Sequence, residues 1–288
     1  MKMNFKDTFF SNKHFLNCRG RLLQFDTAMV MGIINVTPDS FYRGSRYMDP
    51  GEILVRASEM IESGADMLDV GAYSSRPGAG DISETEEISR LEKVIPPIRE
   101  SFPEVLLSVD TFRSNVARRV VADHDVNIIN DISGGDLDEN MFEVIAELQV
   151  PYVLMHMRGS PATMQNNTNY TDVTREIILS LSNKISLLNS LGVNDIIIDP
   201  GFGFAKTIDQ NFEILRQLEA FQIFSQPLMT GTSRKSMIYK TLDCDSGEAL
   251  NGSTVLHTIA LLKGANILRV HDVKEAREAI LLVKKTMN

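Results

Sequence analysis

Three hydrogen-bonding side chains stand at the ends of short apolar runs, where a binding site could form. Asp110, Asn130 and Asp199 each end or directly follow such a run. If the three run ends converge, their donors and acceptors suit a flat heterocycle rich in nitrogen. Taken singly, Asp110 and Asp199 would each more often cap a following helix, and Asn130 with Asp131 could form a turn. The three residues together favour a ligand site.

A second set of side chains is cationic and lies late in the chain. Arg234 and Lys235 follow one apolar run, and Arg269 and His271 end the next. Residues two apart on a strand point to the same side, so Arg269 and His271 project together. Arg234 and Lys235 could simply begin a surface helix, but cationic side chains are unfavourable there unless an anion or acid is close. These residues therefore predict an anion site.

One histidine and three loops complete the polar features. His156 is more typical of a hydrogen-bonded interior histidine than of a metal ligand, because no second histidine lies at metal spacing. The loops 35–41, 74–79 and 201–204 contain Gly or Pro and could close over a ligand. The last loop, followed by Lys206, lacks the spacing and the Ser or Thr of a phosphate loop, which disfavours nucleotide binding.

The elements that must position these side chains are eight short runs rich in Val, Ile, Leu and Met. Apolar and polar residues do not alternate within them, which is typical of strands covered on both faces. The runs span residues 28–34, 67–70, 105–109, 127–130, 152–155, 195–198, 227–230 and 266–270.

Amphipathic stretches separate the runs and predict helices. Residues 50–63 and 171–190 carry apolar residues at helical spacing. A last helix is expected over 273–286, and Ser83 with Glu86 predicts a capping box at the start of another. Strands that alternate with helices in this way indicate a parallel sheet.

Eight such units in about 260 residues predict a (β/α)8 TIM barrel over residues 28–286, because an open doubly wound sheet commonly uses fewer strands. Residues 14–26 contain short apolar runs around Arg19-Gly20-Arg21, and we expect a β-hairpin there that closes the bottom of the barrel. The chain, residues 1–288, is expected to form a single domain. Active sites of such barrels lie at the carboxyl ends of the strands, where the polar residues stand.

The composition excludes several classes of protein. The 288 residues are 43% hydrophobic and 23% charged, so the chain can bury a core. The net charge of −9 disfavours nucleic acid as a partner. The longest apolar run is far shorter than the about 20 residues of a membrane span, and no secretory signal is visible, so we expect no membrane association and a cytoplasmic location. Cys18 and Cys244 have no zinc-binding spacing and are expected to be free thiols.

Seven motifs at the run ends carry a family resemblance. They are Asn35-Val36-Thr37-Pro38-Asp39-Ser40-Phe41, Ser75-Arg76-Pro77-Gly78, Ser108-Val109-Asp110, Asn130-Asp131, Asp199-Pro200-Gly201-Phe202-Gly203-Phe204, Ser233-Arg234-Lys235-Ser236 and Arg269-Val270-His271-Asp272. In this order they resemble the dihydropteroate synthases of folate biosynthesis, from about residue 28 to 286. The resemblance implies condensation of 6-hydroxymethyl-7,8-dihydropterin diphosphate with 4-aminobenzoate, giving 7,8-dihydropteroate and pyrophosphate. It also implies Mg²⁺ as cofactor and a homodimer formed through barrel helices away from the mouth.

The resemblance assigns residues to three subsites. For the pterin ring it implies Asp110, Asn130, Met155, Asp199 and Lys235. For the diphosphate it implies Asn35, Arg269 and His271, with Asn35 also near the metal. For 4-aminobenzoate it implies Phe41, Ser75, Arg76, Pro77, Phe204, Lys235 and Ser236.

The implied reaction separates charge, and the residue types agree with it. When the bond between the methylene carbon and the diphosphate oxygen breaks, a pterin cation and a departing pyrophosphate remain a few ångströms apart. Asp110 and Asp199 can stabilise the cation, while Mg²⁺, Arg269 and His271 can stabilise the leaving oxygens. With Lys235, these residues form the expected catalytic set.

Departures from the family pattern keep two alternatives open. Arg43 stands where the family carries an aspartate, Tyr73 stands where glutamate is common, and Ala205 replaces a frequent glycine. We expect these changes to tune activity, but Arg43 and Tyr73 would also suit a catalytically silent, synthase-like binding protein. The other alternative is a pterin-binding methyltransferase domain, which would not need the 75–77 and 233–236 motifs.

Overall fold

A two-stranded hairpin opens the part of the chain that the computed structural model describes, residues 14–36, 49–74 and 80–287. Strand β1 (Phe15–Cys18) pairs antiparallel with β2 (Arg21–Gln24). The two turn residues, Arg19 and Gly20, have positive φ angles of 52° and 90°, as the turn that matches strand twist in short hairpins requires. The hairpin predicted over residues 14–26 is confirmed.

Eight parallel strands follow and form the barrel. They run in chain order around it, with the last strand paired to the first, and a bridge between Ile198 and Leu228 closes the remaining gap between the sixth and seventh strands. The backbone N–H of Ile198 donates to the carbonyl of Pro227 at 2.9 Å in this closure. The strands are β3 (Met29–Asn35), β4 (Met67–Gly71), β5 (Leu106–Asp110), β6 (Ile128–Asp131), β7 (Tyr152–Met155), β8 (Ile196–Asp199), β9 (Met229–Thr230) and β10 (Ile267–Val270). The predicted TIM barrel is confirmed.

Helices lie between the strands, and three of them match the predicted ranges to within two residues. The described helices are α1 (Pro50–Glu62), α2 (Glu84–Ser101), α3 (Ser114–His124), α4 (Met141–Leu148), α5 (Val173–Ser190), α6 (Ile208–Arg216), α7 (Ser236–Tyr239), α8 (Leu250–Leu262) and α9 (Val273–Met287). None of the helices in these residues is both long and apolar enough to cross a bilayer.

The capping box predicted for α2 forms only in part. The Ser83 hydroxyl accepts from the Glu86 N–H at 3.2 Å, as expected of an N-cap. The Glu86 carboxylate accepts from Arg90 at 2.8 Å instead of turning back to the cap. The nearby arginine on the next turn outcompetes the backbone amide because its hydrogen bond is charge-assisted.

The hairpin seals the lower end of the barrel. Leu16, Cys18 and Leu23 pack into a buried layer to which every barrel strand contributes one side chain. Those eight are Met31, Met67, Leu106, Ile128, Val153, Ile197, Met229 and Ile267. Burial also raises the pKa of the Cys18 thiol to about 12, so it packs as a small apolar group. Both cysteines are free, as expected.

Candidate active site

The polar run ends converge on one rim of the barrel. Strand register places Asn35 beside Gly71, Gly71 beside Asp110, and Asp110 beside Asn130. On the next pair of strands, Met155 lies beside Asp199. Because these pairs are level in a parallel sheet, the predicted residues meet at the carboxyl ends of the strands.

An ion-pair network forms the floor of this rim. Arg269 Nε donates to Asp69 Oδ2 at 2.6 Å, and Arg269 Nη2 donates to Asp110 Oδ2 at 2.7 Å. Asn130 Nδ2 donates to the same Asp69 oxygen at 2.9 Å. Four side chains from four strands are thus joined by three short hydrogen bonds.

Asp69 is the site residue that the sequence interpretation missed. It is fully buried at the centre of β4, where Met67, Leu68 and Val70 are apolar. A carboxylate in the middle of a buried strand is rare unless it is paired, and that was the available signal.

Burial and the network shift the ionisation of Asp110. Burial raises the pKa of Asp110 to about 7, with Arg269 opposing the rise and Asp69 adding to it. Burial alone would lower the pKa of Arg269, but Asp69 and Asp110 outweigh it and raise that pKa above its ordinary value. A carboxylate whose pKa lies close to neutral pH and a permanently charged guanidinium are characteristic of a functional site.

Asp199 and Lys235 form the second charged part of the rim. Burial raises the pKa of Asp199, and Lys235 is the main opposing charge. Burial lowers the pKa of Lys235 to about 8, with Asp199 opposing the fall. Lys235 Nζ donates to the carbonyl of Phe202 and lies 4.8 Å from the ring centroid of Phe204. Lys235 therefore contacts the 201–204 loop from the adjacent strand end.

The structure excludes the helix-cap interpretation of both aspartates. Helix α3 begins at Ser114 with Arg113 in the cap position, and Thr207 caps α6. Asp199 Oδ1 accepts from the Gly201 N–H at 2.7 Å, and so shapes its loop. The two side chains are available to the site.

Of Asn130 and Asp131, for which a turn was the alternative interpretation, only Asp131 stabilises a turn with its side chain. Its carboxylate accepts from the Ser133 N–H at 2.7 Å, the Gly135 N–H at 2.8 Å and the Tyr152 hydroxyl at 2.7 Å. Asn130 instead joins the floor network. One residue of the motif thus holds the loop, and the other belongs to the site.

The prediction that Arg234 belongs to an anion site is wrong, because this side chain already binds a carboxylate. Its guanidinium makes two 2.8 Å bonds to Asp272 and also donates to the carbonyl of Ser246. This bidentate pair holds the loop after β9 against the end of β10, so Arg234 is structural. Lys235 stands in the cap position of the short helix α7 but is partly buried, which excludes a simple surface start.

His271 lies beside this pair. Its Nδ1 is 3.1 Å from the Ser233 hydroxyl. Burial and, to a lesser extent, the charge of Arg269 lower the pKa of His271 to about 3. The imidazole is therefore neutral at neutral pH and can offer a hydrogen bond rather than a full charge.

The remaining predicted residues divide into two groups. Met155 belongs to a small apolar cluster against which Phe204 packs, and Ser236 begins α7 next to Lys235. Asn35 is partly buried at the end of β3. Outside the described residues lie Phe41, Arg43, Ser75, Arg76 and Pro77.

His156 is an interior histidine, as expected. It is 3% exposed, and its Nδ1 lies 3.2 Å from the ammonium of Lys206. That ammonium also donates to the carbonyls of His156, Gly201 and Phe204, between 2.8 and 3.2 Å. Lys206 thereby ties the loop after β8 to the end of β7.

Two departures from the family pattern have a visible structural setting. Ala205 has a φ of 50°, a conformation that costs about 1–2 kcal/mol without a glycine. Tyr73 packs edge-on against Phe112 with 4.9 Å between ring centroids, and the Arg113 guanidinium lies 5.4 Å from the Tyr73 ring. Tyr73 thus joins an aromatic and cationic cluster beside the rim.

Comparison with known proteins shows the class to which this barrel with its charged rim belongs, a pterin-binding enzyme. The family model described as pterin binding enzyme matches residues 31–271. The chain is 40% identical to dihydropteroate synthase of Escherichia coli (strain K12) over 275 residues, which is 95% of this chain and 96% of that protein. The chain belongs to the dihydropteroate synthase family.

Solved structures agree with this assignment. The Yersinia pestis dihydropteroate synthase in a sulfonamide drug complex superposes with a TM-score of 0.88 at 37% identity, covering 95% of this chain and 99% of that one. The Xanthomonas albilineans dihydropteroate synthase with 4-aminobenzoic acid gives 0.85 at 34% identity, covering 96% and 98%. The predicted family is confirmed.

Proposed function

We propose that this protein condenses 6-hydroxymethyl-7,8-dihydropterin diphosphate with 4-aminobenzoate, giving 7,8-dihydropteroate and pyrophosphate. The observation that carries the proposal is the meeting of a buried carboxylate, Asp199, and a partly exposed one, Asp110, with two cations, Lys235 and Arg269, at one barrel rim. A reaction that separates positive from negative charge needs both signs held close together in a site that excludes water.

The pterin ring lies on the floor network in this proposal. Asp110 and Asp199 accept hydrogen bonds from its N–H groups, and Asn130 contacts it from the same rim. Met155, 3% exposed beside Asp199, supplies an apolar surface for the ring. Lys235 contacts the ring from the loop after β9.

The chemical step breaks the bond between the methylene carbon and the diphosphate oxygen. Both electrons leave with the oxygen, and the methylene carbon is left with a positive charge that the pterin ring shares. The amine of 4-aminobenzoate then forms the new C–N bond and gives up its proton to the departing pyrophosphate or to water. No side chain has to act as a nucleophile, so the site accelerates the step by electrostatic stabilisation.

The anionic leaving group meets Arg269 and His271. The two ion pairs of Arg269 use Nε and Nη2, and neither uses Nη1. Neutral His271 adds a hydrogen bond. Among the described residues of this subsite, Arg269 is therefore the main group that neutralises the negative charge of the diphosphate.

Mg²⁺ is the proposed cofactor, and the oxygen donors at the rim fit it. A Cβ at Gly71 would lie 3.8 Å from Asn35 Oδ1 and 3.4 Å from the Asp110 Cβ, so the glycine leaves space between two oxygen-bearing side chains. Mg²⁺ is usually bound by one or two protein oxygens together with phosphate oxygens. We assign Asn35 to hold the ion with the diphosphate; when bound, Mg²⁺ neutralises charge that grows on the leaving oxygens.

The second substrate contacts the loop side of the rim. Phe204 and Lys235 lie together there, and Ser236 follows directly. The Xanthomonas neighbour with 4-aminobenzoic acid supports the same ligand for this chain. Phe41, Ser75, Arg76 and Pro77 remain predicted members of this pocket.

A homodimer and a cytoplasmic location belong to the proposal as expectations from the family. Helices α8 and α9 expose Val255 (49%), Leu262 (53%), Leu281 (55%) and Leu282 (69%), away from the rim. An apolar surface of this kind supports a second copy as the partner. Sedimentation at increasing protein concentration tests it, and a monomer throughout would contradict it.

The test of the activity is the release of pyrophosphate with both substrates and Mg²⁺. We expect release only when both substrates are present, with one dihydropteroate formed for each pyrophosphate. Lys235→Ala should lose turnover. Absence of release by the folded wild-type protein would overturn the proposal, and methyl transfer from methyltetrahydrofolate would establish the methyltransferase alternative.

A further inference from the structure

A single oxygen of Asp69 fixes both Asn130 and Arg269. Its Oδ2 accepts from Asn130 Nδ2 at 2.9 Å and from Arg269 Nε at 2.6 Å. Its side chain has no exposed surface, whereas that of Asp110 is 20% exposed. A ligand at the rim can therefore reach Asp110 but not Asp69.

We propose that Asp69 is a positioning residue for the proposed reaction. Asp69 turns the carbonyl oxygen of Asn130 toward the pterin. It also anchors Arg269 when the substrate takes the place of Arg269 at Asp110. This inference rests on the proposed function. It assigns different roles to two carboxylates that bind the same guanidinium.

The direction of the Asn130 amide follows from hydrogen-bond chemistry. A carboxylate paired with a guanidinium only accepts hydrogen bonds, so the amide must offer its NH₂ to Asp69. The carbonyl oxygen of Asn130 then faces away from Asp69. Asn130 consequently accepts from an N–H of the dihydropterin, and a ligand with an acceptor at that point is rejected because two acceptors would face each other.

The anchoring of Arg269 follows from the difference in accessibility. A pterin that donates to Asp110 competes with Arg269 Nη2 for the same carboxylate, while the bond from Nε to Asp69 is out of its reach. Asp69 therefore keeps the guanidinium at the rim, and the nitrogen released from Asp110 becomes available to the diphosphate. Pterin binding in this way prepares the leaving-group site.

The second oxygen of Asp69 argues for function over stability. Among the described residues, Asp69 Oδ1 is a buried atom without a hydrogen-bond partner. A buried acceptor in that state costs stability, and an apolar residue would avoid the cost. A carboxylate at position 69 is therefore explained by its other oxygen, Oδ2, which positions Asn130 and Arg269.

The experiment compares Asp69→Asn with a double exchange, Asp69→Asn with Asn130→Asp. In the single variant residue 69 can also donate, so the Asn130 amide is free to reverse; we expect KM for the pterin diphosphate to rise roughly 10- to 100-fold, with a smaller fall in kcat. The exchange returns an acceptor-only group to position 130. It should recover at least about tenfold of the lost pterin affinity, measured by calorimetry with a pterin lacking the diphosphate.

Asp66→Asn is the matched control. Asp66 lies just before the same strand and accepts from Arg277 at 2.5 Å, outside the rim. The same substitution of an ion-paired aspartate should lower thermal stability and leave KM and kcat within about twofold of wild type. A purely structural role for Asp69 would give the pattern of this control.

Unchanged kinetics and pterin affinity in folded Asp69→Asn would overturn the inference. If Asp69→Asn does not fold, the exchange variant decides by itself, since it retains one carboxylate between the same groups. The folded exchange variant should bind the pterin with an affinity within about tenfold of that of the wild type, and an absence of binding would overturn the inference. Wild-type protein that binds the pterin but releases no pyrophosphate would overturn the proposed function and not the role of Asp69, which the calorimetry still measures.

Discussion

The barrel interior contains two layers of opposite character, only two residues apart on the same strands. Met67, Ile128 and Ile267 lie in the lower layer under the hairpin, while Asp69 and its partners lie in the layer above. Residues two apart on a strand face the same side, so both layers point into the barrel. The upper positions on these strands are Asp69, Asn130 and Arg269.

The same strands therefore carry one layer that stabilises the fold and one layer that serves function. Buried aliphatic side chains stabilise the fold at about 25 cal/mol per Å² of apolar surface. Buried ion pairs contribute little, because desolvation offsets most of their attraction. The lower layer and the helix shell therefore stabilise the barrel, and this stability permits a buried charged layer above.

Arg269→Met should give the largest effect and break the upper layer. The change leaves Asp69 and Asp110 buried without their cation, which costs about 3–5 kcal/mol of unfolding free energy. It also removes a cation from the leaving-group site, so we expect kcat/KM for the pterin diphosphate to fall roughly 10³-fold. Steady-state pyrophosphate release and urea unfolding measure the two effects. An unchanged kcat/KM would refute the assignment of Arg269.

Ile197→Ala tests the lower layer. Ile197 is fully buried beneath Asp199, and its truncation should lower the free energy of unfolding by about 2–5 kcal/mol. The rim is untouched, so kcat/KM of the folded protein should stay within about twofold of wild type. A kinetic loss comparable to that of Arg269→Met would show that the layers are not separable.

The pH dependence of kcat/KM should report the two titrating groups of the upper layer. Asp110 must be ionised to accept from the pterin, and its pKa is about 7, so activity is lost as pH falls through that value. Lys235 must be protonated to act as a cation, and its pKa is about 8, so activity is lost as pH rises through that value. We expect a maximum between them and about a tenfold loss one pH unit beyond either limb.

Lys235→Arg sharpens this prediction. An arginine stays charged, so the descending limb should move to much higher pH while the ascending limb remains. A rate profile that is flat between pH 6 and 9 in wild type would contradict the assignment of both groups.

Asp195→Ala should give the smallest effect and concerns only the lower end. Asp195 Oδ1 accepts from the Asn17 N–H at 2.6 Å and joins the hairpin to the barrel. Loss of one partly exposed hydrogen bond should cost about 1 kcal/mol of unfolding free energy and leave kcat/KM unchanged. Urea unfolding measures the first and pyrophosphate release the second. Loss of activity here would mean that the hairpin influences the rim.

Much of the fold followed from local pattern. The runs 28–34 and 152–155 became strands Met29–Asn35 and Tyr152–Met155, because buried parallel strands need uninterrupted apolar residues. The run 227–230 kept only Met229–Thr230 as a strand. Pro227 has no N–H to donate to a neighbouring strand, while its carbonyl accepts from the Ile198 N–H where the barrel closes.

Part of the site followed from residue type alone. Asp110, Asn130, Asp199 and Arg269 were expected at the rim because polar side chains at several strand ends together suit a ligand site, although a cap or a turn could explain some of them singly. Arg234 was misjudged because its partner, Asp272, lies 38 residues away, and an isolated arginine in sequence does not show whether a carboxylate already binds it.

The sequence by itself determined the number and order of the strand-helix units, the family motifs and the signs of charge at the rim. Tertiary structure alone decided which charges meet: Arg269 pairs with Asp69 and Asp110, which are 200 and 159 residues away. The sequence could place Arg269 and His271 on the same side of a strand, because the alternation of side chains along a strand is a local property of the backbone. Partners across the barrel are set by closure of the sheet, which brings the first strands against the last.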